Sequence, residues 1–272
     1  MNREKYYFSN KLAVALLAAT VIVYLVFIAL PILAVFLEID GNQVGAQLQN
    51  SAIIEAIQLS LYTSGIATII SLLLTVPTAY FLVTRKFPGK SIIDTLIDLP
   101  IVLPPAVAGV ALLLAFAPRG LLGPVFNFFG VTIPGSAVAV VLAQTFVASP
   151  FILRAAKTGF ENLNPDVINS ARILSGSRFR VFFTIILPLS MRGIVSGIVL
   201  TWARAIGEFG ATIMFAGNLP GITQTMPLAI YSLMSSDPLA GVMLSAILIA
   251  ISFAVIIAIK VLEQKKFGAK KQ

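Results

Sequence analysis

The sequence contains neither cysteine nor histidine in its 272 residues. The lack of cysteine excludes disulfides, thiolate metal sites and cysteine nucleophiles. The lack of histidine removes the commonest metal ligand and the commonest general base. Charged residues are also scarce, at 11% of the chain, whereas hydrophobic residues make up 58%. These deficits argue against an enzyme, and the apolar excess argues against a soluble domain of this size.

The hydrophobic residues are gathered in six segments, each close to the roughly 20 apolar residues that a membrane-spanning helix needs. The sequence therefore predicts an all-α polytopic membrane protein with six transmembrane helices. The predicted spans are 12–37, 57–83, 99–116, 133–153, 193–215 and 239–259.

The first apolar segment follows a basic stretch that contains Arg3, Lys5 and Lys11, as the core of a secretory signal peptide does. This apolar run is too long for a signal peptide, and no clear small-residue cleavage site follows it. We interpret it as an uncleaved first span, with a cleaved signal peptide as the alternative.

The positive charges are distributed unevenly around the predicted spans. Of the 19 Lys and Arg residues, all but Arg119 and Arg204 fall on one side of the bundle. Because basic residues accumulate in cytoplasmic loops, both termini are predicted to be cytoplasmic. Topology thus explains the net charge of +8. No aromatic–basic pattern suited to nucleic acid is present, and we expect no nucleic-acid partner.

The third predicted span begins with the proline-rich sequence LPIVLPPAVAG. Proline removes a backbone donor and distorts a helix, and in lipid the freed carbonyls need partners from other helices or from water. One interpretation is an interfacial start with a single kink. The other is a helix that lines a pathway or bends during transport. The residues concerned are Pro100, Pro104, Pro105 and Gly109.

Two patterns resemble catalytic or nucleotide-binding sites only superficially. Residues 84–91 read TRKFPGKS, but a phosphate-binding loop needs glycine where Thr84 stands and should follow a strand. We interpret this stretch as a cytoplasmic turn and expect no nucleotide, metal or other cofactor on this chain. Asp94 and Asp98 are four residues apart, and interfacial charges at a span start explain them better than an acid–base pair.

Arg204 and Glu208 are charged residues inside the fifth predicted span. Each costs about 2.5–3.5 kcal/mol on insertion scales, so such groups face a bundle interior or a watery cavity. Their i, i+4 spacing places them on one helix face, where they can pair. They form either a structural ion pair between helices or part of a translocation pathway, in which Arg204 would attract an anion.

The polar stretch between the fourth and fifth spans contains a predicted amphipathic helix. Asn164 can cap this helix, and Pro165 fits its first position. Val167, Ala171 and Leu174 then fall on one face. A short amphipathic helix on the inner side of a membrane protein predicts a protein partner there.

The segment after the fifth span reads GNLPGITQTMPLAIY. Its glycines and proline mark turns, and the apolar residues that follow predict a short outer helix or a re-entrant element. This element would serve as an outer gate, a docking surface or a plain connector.

The polar stretch resembles the cytoplasmic signature of importer permeases of the ATP-binding-cassette (ABC) class, in which EAA, three residues, Gly and nine residues precede I-x-LP. Two positions depart from it, because Asn169 replaces the glutamate and Ser175 occupies the glycine position. The matching or neighbouring positions are Ser170, Ala171, Gly176, Ile185, Leu187 and Pro188.

A second block, WARAIGEFGATIMFAGN, resembles the molybdate/tungstate and sulfate permease group. The runs FPGKS and LPIVLPPAVAG also resemble that group, and NLPGITQTMPLAIY resembles molybdate permeases. The resemblance extends over about residues 52–261.

The resemblance implies the type I ABC importer permease fold. Residues 1–51 would form the first transmembrane helix and an outer loop, 52–262 the importer transmembrane domain, and 263–272 a basic cytoplasmic tail. It also implies a homodimer in the lipid of the cytoplasmic membrane. A separate ATPase dimer would bind ATP and magnesium, and an extracytoplasmic binding protein would deliver molybdate or tungstate.

Under the same resemblance, residues 164–176 would form the coupling helix that docks on the ATPase. The alternatives are a sulfate or thiosulfate permease of this architecture and an ATP-independent secondary anion transporter. A secondary transporter should carry internal repeats, and none is evident in the sequence. The implied coupling residues are Asn164, Pro165, Asp166, Asn169, Ser170, Ala171, Arg172, Ser175 and Gly176.

Overall fold

The computed structural model describes residues 3–39, 45, 49–175 and 177–268, and every regular element in these ranges is a helix. The predicted all-α fold is confirmed. One short stretch, Phe182–Ile186, is a π-helical turn. The helices are α1 (Arg3–Leu37), α2 (Ser51–Thr84), α3 (Lys90–Val102), α4 (Pro105–Phe116), α5 (Gly123–Phe128), α6 (Ala137–Glu161), α7 (Pro165–Ser175), α8 (Arg178–Val181), α9 (Leu187–Ile206), α10 (Gly210–Ala216), α11 (Met226–Ser236) and α12 (Pro238–Gly268).

Within the described residues, six helical segments are long and apolar enough to span a membrane if α3 and α4 count as one bent span. The other spans are Ala13–Leu37, Ser51–Thr84, Ala137–Glu161, Arg178–Ile206 and Pro238–Ala258. The predicted number is therefore confirmed on this count, whereas the third and fifth spans differ in shape from the prediction.

The third span is two helices that meet at 114°, and it starts at Lys90 instead of residue 99. The bend follows from Pro104 and Pro105, because a proline drives the preceding residue into extended backbone. Leu103 and Pro104 have ψ of 134° and 133°. Pro100 lies within α3 and does not break it.

The fifth span begins at Arg178 and ends at Ile206, so the predicted continuous helix over 193–215 is wrong at both ends. Gly207 ends α9, and the separate helix α10 begins at Gly210. Gly207 has φ of −87° and ψ of 6°, which any residue can adopt, so the end of α9 here does not depend on the special backbone freedom of glycine. Glu208 therefore lies in the break between α9 and α10, and it is not on a helix that also carries Arg204.

The centre of the bundle is formed by α2, α6 and α9, which pack along one another. The buried face of α2 consists of small residues at helical spacing, and small side chains let helix backbones approach closely without large cavities. Among the residues of this face are Ala56, Ser60, Ser64, Ala67, Ser71 and Ala79.

The predicted short helix after the fifth span is present as α11. Its first backbone amide, that of Met226, donates to Ser60 Oγ of α2 over 2.6 Å. The loop before it is closed by Asn218, whose Nδ2 donates to Ser232 Oγ over 2.9 Å and whose Oδ1 accepts from Gln224 Nε2 over 3.0 Å. These bonds attach α11 firmly to the bundle.

Helix α1 stands apart from this core. Its membrane-length part, Ala13–Leu37, has no buried residue and contacts mainly α12. A long apolar helix that buries none of its residues against its own chain needs lipid or another protein around it.

Candidate coupling helix and intramembrane sites

The start of α7 is fixed by local sequence. Asn164 Oδ1 accepts from the Asp166 amide over 2.8 Å, which satisfies one of the free donors at the helix N-terminus. Pro165 occupies the first helical position, where its missing N–H costs nothing. The predicted helix, its cap and its first residue are confirmed.

The outward face of α7 carries both polar and apolar side chains. Val167 is 45% exposed and Ile173 is 83% exposed, so two apolar residues face away from the bundle. Such exposure is typical of a surface that another protein covers. Gly176 and the side chains of Leu174 and Ser175 lie outside the described residues. The exposed polar residues are Asp166, Asn169, Ser170 and Arg172.

Of the predicted Val167–Ala171–Leu174 face, Ala171 is buried and Val167 is exposed, while the Leu174 side chain lies outside the described residues. Ala171 is buried in a cluster with Phe160 of α6 and Val181 of α8, and Ile168 packs against it. Val167 points outward because a helix of 3.6 residues per turn separates neighbouring residues by about 100°. Ala171 and Ile168 therefore connect α7 to α6 and to the segment before α9.

Asp94 and Asp98 do not form a carboxylate pair. Asp98 Oδ1 accepts from Arg154 Nε over 2.7 Å, and Asp94 Oδ1 accepts from Lys157 Nζ over 2.8 Å. Arg154 and Lys157 both lie on α6, so two ion pairs attach α3 to the end of α6. The periodic spacing of the acids indicated a shared helix face, but the sequence did not reveal their partners.

Arg204 and Glu208 form an ion pair across the end of α9, with Arg204 Nη1 2.5 Å from Glu208 Oε2. Glu208 is 1% exposed. Its Oε1 accepts from the Ala211 amide over 2.8 Å, so the same carboxylate also caps α10. A buried carboxylate with a cation and a backbone donor holds the two helices in a fixed arrangement.

Gly109 and Gly210 bring α4 and α10 into backbone contact. A Cβ on Gly109 would lie 2.6 Å from the Ala211 carbonyl oxygen, and one on Gly210 would lie 2.6 Å from Pro105 Cβ. Each helix therefore presents a glycine at its closest approach to the other. The bent third span is joined to the Arg204–Glu208 pair through this contact.

Sequence reasoning missed Thr201. Its hydroxyl hydrogen-bonds to the backbone of α6. Oγ1 accepts from the Ile152 amide over 3.1 Å and donates to the Ala148 carbonyl over 3.1 Å. Pro150 stands between these two positions and lacks an amide hydrogen. Ile152 N–H and Ala148 C=O lie four residues apart and would pair with each other in a regular helix, and the Thr201 hydroxyl of α9 bonds to both of them. The carbonyl that loses its helical donor at Pro150 is that of Phe146, which Thr201 does not contact in these bonds. Pro150 inside an apolar run was the available indication.

Gln144 was also missed. This residue of α6 is fully buried, and neither atom of its side-chain amide hydrogen-bonds to a described residue. An amide in the apolar run AVAVVLAQTFV is a polar position that sequence reasoning could have identified.

The chain shows no site for ATP or a metal in its described part. The stretch TRKFPGKS follows the helix α2 instead of a strand, and Gly89 with φ of 85° precedes α3. The predicted turn is therefore confirmed, and its location on the cytoplasmic side stays a prediction. Over the described ranges, no three His, Cys, Asp or Glu residues are grouped as metal ligands.

Residues 76–268 match the family model of the binding-protein-dependent transport system inner membrane component. The chain is 42% identical over 183 residues to the molybdenum transport system permease protein ModB of Escherichia coli (strain K12), covering 67% of this chain and 80% of the relative. It is 37% identical over 224 residues to the molybdate/tungstate transport system permease protein WtpB of Thermococcus kodakarensis, covering 80% of this chain and 85% of the relative.

A solved structure shares the fold. A chain from a bacterial ABC transporter involved in the import of alginate superposes with a TM-score of 0.76 at 15% identity, covering 97% of this chain and 99% of that one. Because the family match covers most of the sequence and the architecture agrees with it, the chain belongs to the binding-protein-dependent transport system inner membrane component family.

Proposed function

We propose that this chain is the permease subunit of an ATP-driven importer for molybdate or tungstate. The single observation that carries this proposal is the 37–42% identity to permeases named for these oxyanions, over 67–86% of the chain. Relatives at this identity and coverage share architecture and commonly share substrate class. The chain itself is a conduit and not an enzyme, and a separate subunit hydrolyses ATP.

The coupling role is assigned to α7 together with Gly176, which lies outside the described residues. Its capped start, its exposed Ile173 and its buried Ala171 support a helix that docks outward and is attached inward. ATP binding would close the ATPase dimer and move α7, and the permease pair would then open outward to the loaded binding protein. ATP hydrolysis would then return the permease pair to its inward-facing state. This cycle requires both termini and α7 to be cytoplasmic.

The homodimer is supported by the unpaired surface of α1. The membrane-length part of α1 has no buried residue, so a second copy or lipid must cover its apolar side chains. We assign part of that surface to the second copy and the rest to lipid. Two permeases then present two copies of α7 to the two ATPase subunits.

Uptake into proteoliposomes tests the transport function. Permease co-purified with its ATPase and supplied with binding protein and ATP should accumulate molybdate, and excess sulfate should not compete. Strong competition by sulfate would favour a sulfate permease of the same architecture. Uptake that persists without ATP would contradict the proposal and favour a secondary transporter.

Docking of α7 is tested by Ile173→Glu. The introduced glutamate should lower the amount of ATPase that co-purifies with the permease about tenfold or more, because burying an unpaired carboxylate in an interface is costly. Leu121→Glu is a matched control, since Leu121 is 87% exposed and lies far along the chain from α7. Equal retention of the ATPase by both variants would contradict the role of α7.

A further inference from the structure

A cavity of about 630 Å³ lies between the C-terminal end of α2 and the segment formed by α8 and the π turn. Its walls are mainly aromatic. Tyr80 of α2 packs on Phe182 at 4.7 Å between ring centroids, and Phe179 packs on Phe183 at 4.7 Å. These ring contacts preform the cavity, because each aromatic side chain is held by a neighbour.

The rim of this cavity is basic. Arg85, Arg172 and Arg178 line it, and none of the described lining residues is Asp or Glu. None of the three forms an ion pair within the described part of the chain. Three guanidinium groups without carboxylate partners make an anion-attracting rim, and guanidinium matches phosphate geometry through paired hydrogen bonds.

The aromatic walls remain open to the surroundings. Phe179 is 74% exposed, and Phe81 and Phe183 are about half exposed. Water would solvate these rings poorly, whereas an acyl chain would cover them. The cavity is also long enough for the upper part of an acyl chain. Pro77 lies seven residues before the end of α2, which is about 10 Å along the helix axis.

We propose that this cavity binds one anionic phospholipid of the leaflet that faces α7. The arginines bind its phosphate, and its upper acyl chain lies against the phenylalanines. Basic pockets between transmembrane helices on the cytoplasmic side have this chemistry. The placement in the inner leaflet rests on the proposed orientation, whereas the lipid contact itself does not. The transported oxyanion fits this cavity poorly, because most of its wall is apolar.

The site links lipid to α7. Arg172 belongs to α7 and Arg178 to α8, while Arg85 follows α2. A single phosphate held by all three joins the outward-facing helix to the bundle. An anionic headgroup therefore stabilises the position of α7 relative to α2.

The test measures lipid retained by the purified permease–ATPase complex. After incubation with phosphatidylcholine vesicles containing phosphatidylglycerol, bound lipid is counted by native mass spectrometry. The double variant Arg85→Gln, Arg178→Gln should lose phosphatidylglycerol roughly 10- to 30-fold, given about 1 kcal/mol per basic residue at an anionic membrane surface. Arg180→Gln is the matched control, because Arg180 is exposed on the same helix but does not line the cavity.

Equal retention by the double variant and the wild type overturns the proposal, as does an equal loss in Arg180→Gln, which would indicate general charge attraction. Assembly with the ATPase, checked by size-exclusion chromatography, excludes misfolding as the cause.

The chain has no cysteine, so Thr84→Cys adds a single thiol at the cavity. Cross-linking of this thiol to a phospholipid with a thiol-reactive group supports the site. Cross-linking to protein alone overturns it. Neither assay depends on transport, so failure of the proposed function is observed separately.

Discussion

Arg154 of α6 donates through Nε to Asp98 Oδ1 of α3 over 2.7 Å. One helical turn earlier in α3, Asp94 accepts from Lys157 in the same manner. Helix α3 has no fully buried residue, so apolar burial contributes little to its attachment. These two ion pairs are therefore the specific contacts that align the first half of the bent span with α6.

We predict that Asp94→Asn with Asp98→Asn loosens α3 without unfolding the protein. Ion pairs this exposed contribute about 0–1 kcal/mol each, so the global stability should fall by less than about 2 kcal/mol. Hydrogen exchange should accelerate selectively in residues 90–102. Glu161→Gln is the control, since Glu161 lines the same cleft without an ion pair. Unchanged exchange in α3 would show that the pairs do not hold it.

Thr201→Val should destabilise the protein by about 1–3 kcal/mol, because a methyl group replaces the hydroxyl that serves the Ala148 carbonyl and the Ile152 amide. Thermal unfolding can be followed by the fluorescence of Trp202, the single tryptophan. Thr78→Val is the control, since its hydroxyl only bonds back to Leu74 of its own exposed helix face. Equal unfolding temperatures of the Thr201→Val and Thr78→Val variants would contradict the stabilising role of the Thr201 hydroxyl.

Gly109→Ala should reduce stability by about 1–3 kcal/mol, since the new methyl group meets the backbone of α10 and overpacks the contact. Gly65→Ala is its counterpart in α2, where a Cβ meets nothing within 4 Å. Alanine is the better helix former, so Gly65→Ala should be neutral or slightly stabilising. Thermal unfolding of both variants in detergent measures the difference. A neutral Gly109→Ala would contradict the close approach of α4 and α10.

Arg204→Ala should prevent recovery of folded permease, because it leaves the buried Glu208 carboxylate without its cation, at about 3–5 kcal/mol. Arg204→Met with Glu208→Gln should restore folding, since the neutral pair needs no counter-charge and the glutamine oxygen can still accept from Ala211. Size-exclusion chromatography measures folded yield. Transport by the restored variant supports a structural pair, and a folded but inactive variant supports a pathway role.

The helical architecture and the number of spans were predictable because lipid imposes a length and an apolar composition on each span. The capped start of α7 was predictable for a similar reason, since Asn164 and Pro165 act within a single helical turn. The 114° bend was only partly predictable: the prolines indicated distortion, but the choice of Pro104 and Pro105 over Pro100 depends on two consecutive extended residues.

The partners of charged and polar side chains were not predictable from one sequence. Arg154 with Asp98 and Thr201 with Ile152 are separated by 56 and 49 residues. Their pairing depends on how the helices are rotated against each other. The break at Gly207 was missed because the apolar run continues through it, and hydropathy does not register a short interruption in backbone conformation.

The hydroxyl of Thr201 attaches α9 to α6 by two hydrogen bonds, one to the Ala148 carbonyl before Pro150 and one to the Ile152 amide after it. A bend of α6 at this proline would have to strain or break one of these two bonds. Under the proposed coupling role, a push on α7 would reach both helices through Ala171 and its neighbours. The two helices would then move together instead of one of them bending at its proline.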